Sequence, residues 1–237
     1  MKKPSDPDKP WQGLFSSISD LIPWLDLGAT IKGICCFLVG LIGALIVGWV
    51  IFPMALYSSQ PQPINFDHAL HLSEDVGIGM GEDSDVEACL YCHAFREDGT
   101  FVGIPKLMKC RECHDDPEYP LGETEAEKEF LKRYVATDEE IPWLVYSKQP
   151  DCVYFSHIAH VKMGELECRI CHGDHGQSKT LPPYKENRLT GYSMNIWGKH
   201  ISGIKFNTWD RMKMDDCAEC HTERGREENN ACFVCHK

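Results

Sequence analysis

Ten cysteines and five histidines of this 237-residue chain fall into five runs of one design. They are Cys89-Leu-Tyr-Cys92-His93, Cys110-Arg-Glu-Cys113-His114, Cys168-Arg-Ile-Cys171-His172, Cys217-Ala-Glu-Cys220-His221 and Cys232-Phe-Val-Cys235-His236. In each run two thiols are spaced to bind the vinyl groups of a porphyrin. The imidazole that follows reaches the iron from one face, the pattern of covalent c-type haem attachment. A zinc ribbon needs no histidine after every second cysteine, and a redox dithiol needs a single pair. The five runs therefore imply five c-type haems.

Six histidines remain for the other face of each iron: His68, His71, His157, His160, His175 and His200. Four of them form two copies of one pattern, Phe66-Asp-His68-Ala-Leu-His71 and Phe155-Ser-His157-Ile-Ala-His160. Each copy precedes haem runs, so the chain contains an internal repeat. Histidines three apart on a helical turn can serve two different haems. Methionine is the axial ligand that raises haem potential. Met163, Met194, Met212 and Met214 are present, but none has a spacing that demands ligation. Bis-histidine irons have no open position for a substrate, which points to outer-sphere electron transfer.

The Phe-x-His-x-x-His pattern followed by haem runs resembles the class III multihaem cytochromes. Residues 155–237 are similar to their trihaem form, and residues 64–116 look like a shortened copy. The resemblance implies His157 as the ligand for the His172 haem and His160 for the His221 haem. His200, or else His175, would serve the His236 haem. In the shorter copy His68 would serve the His93 haem and His71 the His114 haem.

Three cysteines stand outside the runs. Cys35 and Cys36 lie in an apolar stretch and read as small core residues. Cys152 is an odd cysteine five residues before His157. It reads either as a free thiol or as the single thioether anchor of a sixth haem, with His175 among its ligands. Six bis-histidine haems would need one histidine more than the chain holds.

These residues need positioning, and the sequence divides accordingly. Residues 1–29 carry Trp11, Leu14, Phe15, Ile18, Leu21, Ile22 and Leu25 at helical spacing. That suits an amphipathic segment at a membrane surface or against a partner. Residues 30–57 form a transmembrane signal anchor, since Gly33 to Tyr57 contains no charge and is long enough to span a bilayer. Gly40, Ala44 and Gly48 recur every four residues, a stripe that lets another membrane helix approach. Residues 58–121 are read as a dihaem module, 122–140 as a linker helix opened by a Thr124/Glu127 capping box, and 141–237 as a trihaem module. Pro142–Tyr146 and Val153–Phe155 read as short strands. The expected fold is thus a haem-dominated multihaem cytochrome c of short helices and loops with little sheet, plus one N-terminal transmembrane helix.

Covalent haem attachment takes place outside the cytoplasm, which places the N-terminus inside and residues 58 onward in the periplasm, at the inner membrane. The net charge of −12 lies wholly on that exported part, which holds 20 basic and 32 acidic side chains. An acidic surface argues against nucleic acid and suits a basic soluble cytochrome partner.

The anchor, the five runs and the stretch Ile141-Pro-Trp-Leu-Val-Tyr to Pro150-Asp-Cys-Val-Tyr-Phe-Ser-His157-Ile-Ala-His160-Val resemble the cytochrome subunits of the menaquinone reductase (Qrc) and alternative complex III group. The resemblance implies three partners: an integral membrane quinone-binding subunit, an iron–sulfur subunit and a molybdopterin-enzyme-like subunit. It also implies a sixth haem in the Qrc branch, which favours the thioether reading of Cys152. The expected function is a relay from a soluble periplasmic cytochrome to a membrane quinone-reactive complex, without catalysis by the chain alone. The alternative is a quinol-oxidising subunit that passes electrons outward. A small membrane quinol dehydrogenase would carry a haem run soon after its anchor, whereas Cys89 lies 32 residues beyond Tyr57. An oxyanion reductase would need an open iron.

Overall fold

A computed structural model describes residues 27–78, 85–122, 124–199 and 203–236. It divides into two compact units, Met1–Phe52 and Pro53–Lys237. The amphipathic segment of residues 1–26 and His200 lie outside the described residues.

The described part of the first unit is an apolar helix. α1 runs over Leu27–Ile46 and passes into a π-turn at Val47–Ile51. In that turn the amide of Phe52 donates to the carbonyl of Val47, five residues back. Pro53 has no N–H to extend the ladder, and such a residue disturbs hydrogen bonding in the turn before it. With the next turn, α2 (Phe52–Ala55), the helical stretch Gly28–Ala55 has a mean hydropathy of 2.8 and is long and apolar enough to cross a bilayer. Its large side chains are exposed, Phe37 to 68% and Val39 to 72%. A soluble core helix would bury such residues.

The second unit holds all five haem runs. β1 (Tyr57–Gln60) pairs antiparallel with β2 (Tyr184–Asn187), in register Tyr57 to Asn187 and Gln60 to Tyr184. This two-stranded ribbon is the sheet of the described residues. The Tyr57 hydroxyl donates to the carbonyl of Gly198 at 2.5 Å. The remaining elements are short: α3 (His68–His71), α4 (Asp85–Cys92), α5 (Leu107–Cys110), α6 (Glu125–Phe130), α7 (Cys168–His172), α8 (Met194–Trp197), α9 (Met214–Glu223) and α10 (Cys232–Cys235). Each haem run overlaps a helical turn, which brings its two cysteines onto neighbouring positions.

The strands expected at Pro142–Tyr146 and Val153–Phe155 are irregular chain instead. Their backbone groups find other partners. The Gln62 side chain donates to the Leu144 carbonyl at 2.9 Å and accepts from the Leu144 amide at 3.1 Å, standing in for a neighbouring strand. The Tyr154 amide donates to the Cys235 carbonyl at 2.7 Å.

The segment read as a linker helix, 122–140, supplies much of the buried cluster. Its capping box is half formed: the Thr124 hydroxyl accepts from the Glu127 amide at 3.2 Å. The Glu127 carboxylate instead accepts from the amides of Leu121 at 2.8 Å and Gly122 at 2.7 Å. After α6 the chain continues as a π-turn, Leu131–Val135, and buries Phe130, Leu131, Tyr134 and Val135 against Leu107 and Ile141. Besides this cluster, Ile196 is the buried hydrophobic residue among those described. That is a small apolar interior for the length of the unit.

Candidate haem-binding sites

The duplicated Phe-x-His-x-x-His pattern is duplicated in space. In the first copy Phe66 meets His68 edge-on at 4.7 Å and 78°, and lies parallel to His71 at 4.3 Å and 20°. In the second, Phe155 meets His157 at 4.9 Å and 87°, and His160 at 4.5 Å and 23°. One phenyl ring thus braces both histidines of its copy. Asp67 caps α3 through the Leu70 amide at 2.8 Å, and Ser156 does the same for the Ala159 amide at 3.4 Å.

The histidines then meet in pairs. His157 faces His172 with ring centroids 6.3 Å apart and planes 5° apart. His160 faces His221 at 6.1 Å and 24°, and His71 faces His114 at 6.3 Å and 56°. A fourth pair, His68 and His175, stands at 6.1 Å and 33°. Two imidazoles on opposite sides of one metal, each nitrogen about 2 Å from it, have centroids about 6 Å apart. So these separations fit axial ligands of an iron.

His68 thus has His175 opposite it, where the family resemblance implied His93. His93 is electrostatically close to both His68 and His175. Cys152 is the odd cysteine of this unit. Its thiol is exposed, and its carbonyl stands 3.0 Å from Nδ1 of His236. It backs onto the fifth run.

Ring orientation is fixed from the far side. Nδ1 of His71 lies 2.7 Å from the Asp67 carbonyl, that of His160 2.8 Å from the Ser156 carbonyl, and that of His93 2.8 Å from the Gly103 carbonyl. Nδ1 of His221 lies 3.0 Å from Oδ1 of Asn230. An acceptor at Nδ1 keeps the proton there and leaves Nε2 bare for a metal. Glu127 Oε1 sits 3.0 Å from Nδ1 of His114, at ion-pair distance but off the line of the ring N–H, so that nitrogen is buried without a formed hydrogen bond. The carboxylate of the expected linker helix therefore belongs to the second site.

Burial pushes His68 and His172 down to about 4, with neighbouring histidines adding to the effect in both cases. Both stay neutral at physiological pH, the form that ligates metal. Burial also pushes the Cys110 and Cys217 thiols up to about 11. Cys168 goes the other way, to about 7, because it shares a hydrogen bond with the thiol of Cys89. That contact joins the first and third runs, whose helices α4 and α7 also touch. Thiol electrostatics likewise couple Cys92 to Cys110 and Cys113, Cys171 to Cys220, and Cys217 to Cys235.

These residues fit haem. No motif cysteine is held in a disulfide, four histidine pairs stand at axial spacing, and the apolar interior is small. The buried hydroxyl of Tyr134 has no hydrogen-bond partner. Among the described residues no three His, Cys, Asp or Glu side chains converge on one ion, so a zinc cage is not built.

Phe101, Glu127 and Asn230 stand against His157, His114 and His221 and were invisible as site residues in the sequence. Each acts across a separation that no local pattern marks.

Comparison with known proteins agrees with this chemistry. Residues 153–237 match the model of cytochrome c7 and related cytochrome c. The chain is 40% identical over 218 residues to the menaquinone reductase multihaem cytochrome c subunit of Nitratidesulfovibrio vulgaris strain Hildenborough, covering 86% of this chain and 90% of that protein.

Proposed function

The chain belongs to the family of multihaem c-type cytochromes that includes the menaquinone reductase cytochrome subunit, and on that footing we propose that it is the membrane-anchored electron-relay subunit of such a complex. The observation that carries the reading is the axial spacing of the histidine pairs, 6.1–6.3 Å between centroids. Bound haem c supplies a one-electron ferric/ferrous couple.

The chain's own residues do the rest. Cys89 and Cys92, Cys110 and Cys113, Cys168 and Cys171, Cys217 and Cys220, and Cys232 and Cys235 tether five haems. His93, His114, His172, His221 and His236 ligate from one side. His71, His157 and His160 ligate opposite His114, His172 and His221. His68 or His175 serves the His93 haem, and His200 the His236 haem. Backbone and side-chain acceptors at Nδ1 raise the basicity of their rings and hold them in place.

A second reading has a specific support in the His68–His175 pair, which stands at axial spacing without a haem run of its own. On that reading the pair ligates a sixth haem and Cys152 provides its one thioether bond. Mass spectrometry of the denatured chain separates the two: five covalent haem masses support the first reading, six the second.

The helix Gly28–Ala55 anchors the chain in the inner membrane, with the haem-bearing unit in the periplasm. Its acidic surface draws a basic soluble cytochrome, and the complex contributes an integral membrane quinone-binding subunit, an iron–sulfur subunit and a molybdopterin-enzyme-like subunit. Purified alone, the chain accepts and returns electrons but turns over no quinone. Robust quinone reduction by the isolated chain would reject the subunit reading. Co-purification of the quinone-binding subunit from detergent-solubilised membranes would support it.

A further inference from the structure

Phe101 belongs to neither Phe-x-His-x-x-His copy, yet its ring lies parallel to that of His157, 4.2 Å away and 20° inclined. It is also within 16° of the plane of His93, at 6.5 Å. It therefore stands between a haem-run histidine of the first half and a histidine of the second. We propose that Phe101 is the positioning residue of the junction between the two haem modules, holding His157 in the plane it shares with His172. The proposal rests on the bis-histidine reading given under Proposed function.

The chain builds a rigid support for this ring. Ala94 to Gly103 form a tight hairpin with Phe95 bridged to Phe101. The Arg96 amide donates to the Thr100 carbonyl at 2.8 Å, and the Val102 amide to the Ala94 carbonyl at 2.9 Å. Asp98 closes the tip by accepting from both the amide and the hydroxyl of Thr100, at 2.9 and 2.7 Å. Gly99 turns the corner with φ of +80°, a conformation that costs other residues. Phe95 packs on Phe101 at 5.3 Å. The same hairpin ends at Gly103, whose carbonyl fixes Nδ1 of His93. One short hairpin thus orients the ligand of its own module and clamps the ligand of the next.

Two further contacts place the junction here. The side chains of Cys89 and Cys168 lie next to one another, and α4 touches α7. The consequence for His157 is specific. Its plane lies 5° from that of His172, the most nearly parallel of the four pairs. Phe155 meets the His157 ring edge-on, so it braces the ring without setting the same rotation. A parallel stack from Phe101 does set it, because turning the imidazole would drive it into the phenyl face.

Axial plane angles are readable. Parallel imidazoles split the iron's two π-type d orbitals and give a rhombic low-spin ferric EPR signal, whereas crossed planes leave the orbitals close in energy and the signal strongly axial. The test uses the full haem-loaded chain in detergent, with Phe101→Leu, Phe101→Tyr and Phe95→Leu as variants. Phe101→Leu should keep its haem complement and lose at least half of the most rhombic signal, with a shifted midpoint for one haem. Phe101→Tyr, which retains the stacking ring, should restore both. If Phe101→Leu fails to hold a haem that Phe95→Leu retains, the ligand has been left unheld, and the proposal stands. An unchanged rhombic signal and titration in Phe101→Leu overturns it, as does a Phe101→Tyr variant that loses as much as Phe101→Leu. Fewer than five covalent haems in the parent chain would instead overturn the haem reading, and is seen before any variant is made.

Discussion

Phe155 and His160 lie parallel, 4.5 Å between centroids and 23° between planes, and the same ring meets His157 edge-on. A single phenyl group therefore fixes the two imidazoles that its helical turn offers to different partners, His172 and His221. Phe66 repeats the arrangement for His68 and His71. Replacing Phe155 by Leu should cost about 1 kcal/mol of stability beyond any lost burial. It should disturb two haem signals rather than one. Parallel changes in the His172 and His221 haems during a spectroelectrochemical titration would verify this, and a change confined to one would refute it.

Asn230 accepts from Nδ1 of His221 and also donates to the Ala218 carbonyl at 3.3 Å and the Thr222 hydroxyl at 3.2 Å. An Asn230→Asp variant should pull the imidazole proton toward the carboxylate and make the ring a stronger donor to iron. One haem midpoint should then fall by roughly 60 mV, a tenfold change in its ferric-to-ferrous ratio for one electron. Asn230→Leu should move it the opposite way. A redox titration showing no change at any haem would contradict the assignment.

Asp216 caps α9, the helix that carries Cys217, Cys220 and His221. Burial raises its pKa, but Arg211, the Lys213 amide and Lys205 together outweigh this and leave it below the usual carboxylate value. The Arg211 guanidinium contacts it at 2.7 and 2.9 Å. Because the folded pKa is the lower one, the stabilisation is complete above about pH 4 and fades as pH falls through the folded value. Asp216→Asn should therefore cost about 2 kcal/mol at pH 7 and much less near pH 2. Thermal melts at the two pH values give the comparison, and an equal loss at both would sink this account.

Gln62 clamps the backbone of Leu144 from both sides, as acceptor and donor. Gln62→Ala leaves one amide and one carbonyl of a half-buried segment unpaired, which should cost about 2 kcal/mol. Gln62→Glu keeps only the acceptor and should fall between. Denaturant midpoints at fixed haem content would rank the three, and a neutral Gln62→Ala would show that water replaces the clamp.

What was legible in the sequence is what is local. The haem runs are five residues long, the Phe-x-His-x-x-His copies six, and the apolar span is continuous, so each announces itself. The face-to-face approach of His157 to His172 was foreseen only through family resemblance. Phe101 beside His157, Glu127 beside His114 and Gln62 at Leu144 were not legible, because each joins residues far apart in the chain. The expected strands at Pro142–Tyr146 and Val153–Phe155 show the same limit. Their alternation suits a sheet, but the partner of Leu144 is a side chain and that of Tyr154 is the last haem run. The two strands that do form, Tyr57–Gln60 and Tyr184–Asn187, are polar and carry no strong pattern of their own.

The hydrogen-bonded thiols of Cys89 and Cys168 bear on how the protein is made. The hydrogen bond pulls the Cys168 thiol down, and two thiols held side by side can be oxidised to a disulfide. Such a bond would staple the first haem run to the third before either had received its porphyrin. Haem attachment at both runs therefore requires these two thiols to stay reduced until it takes place.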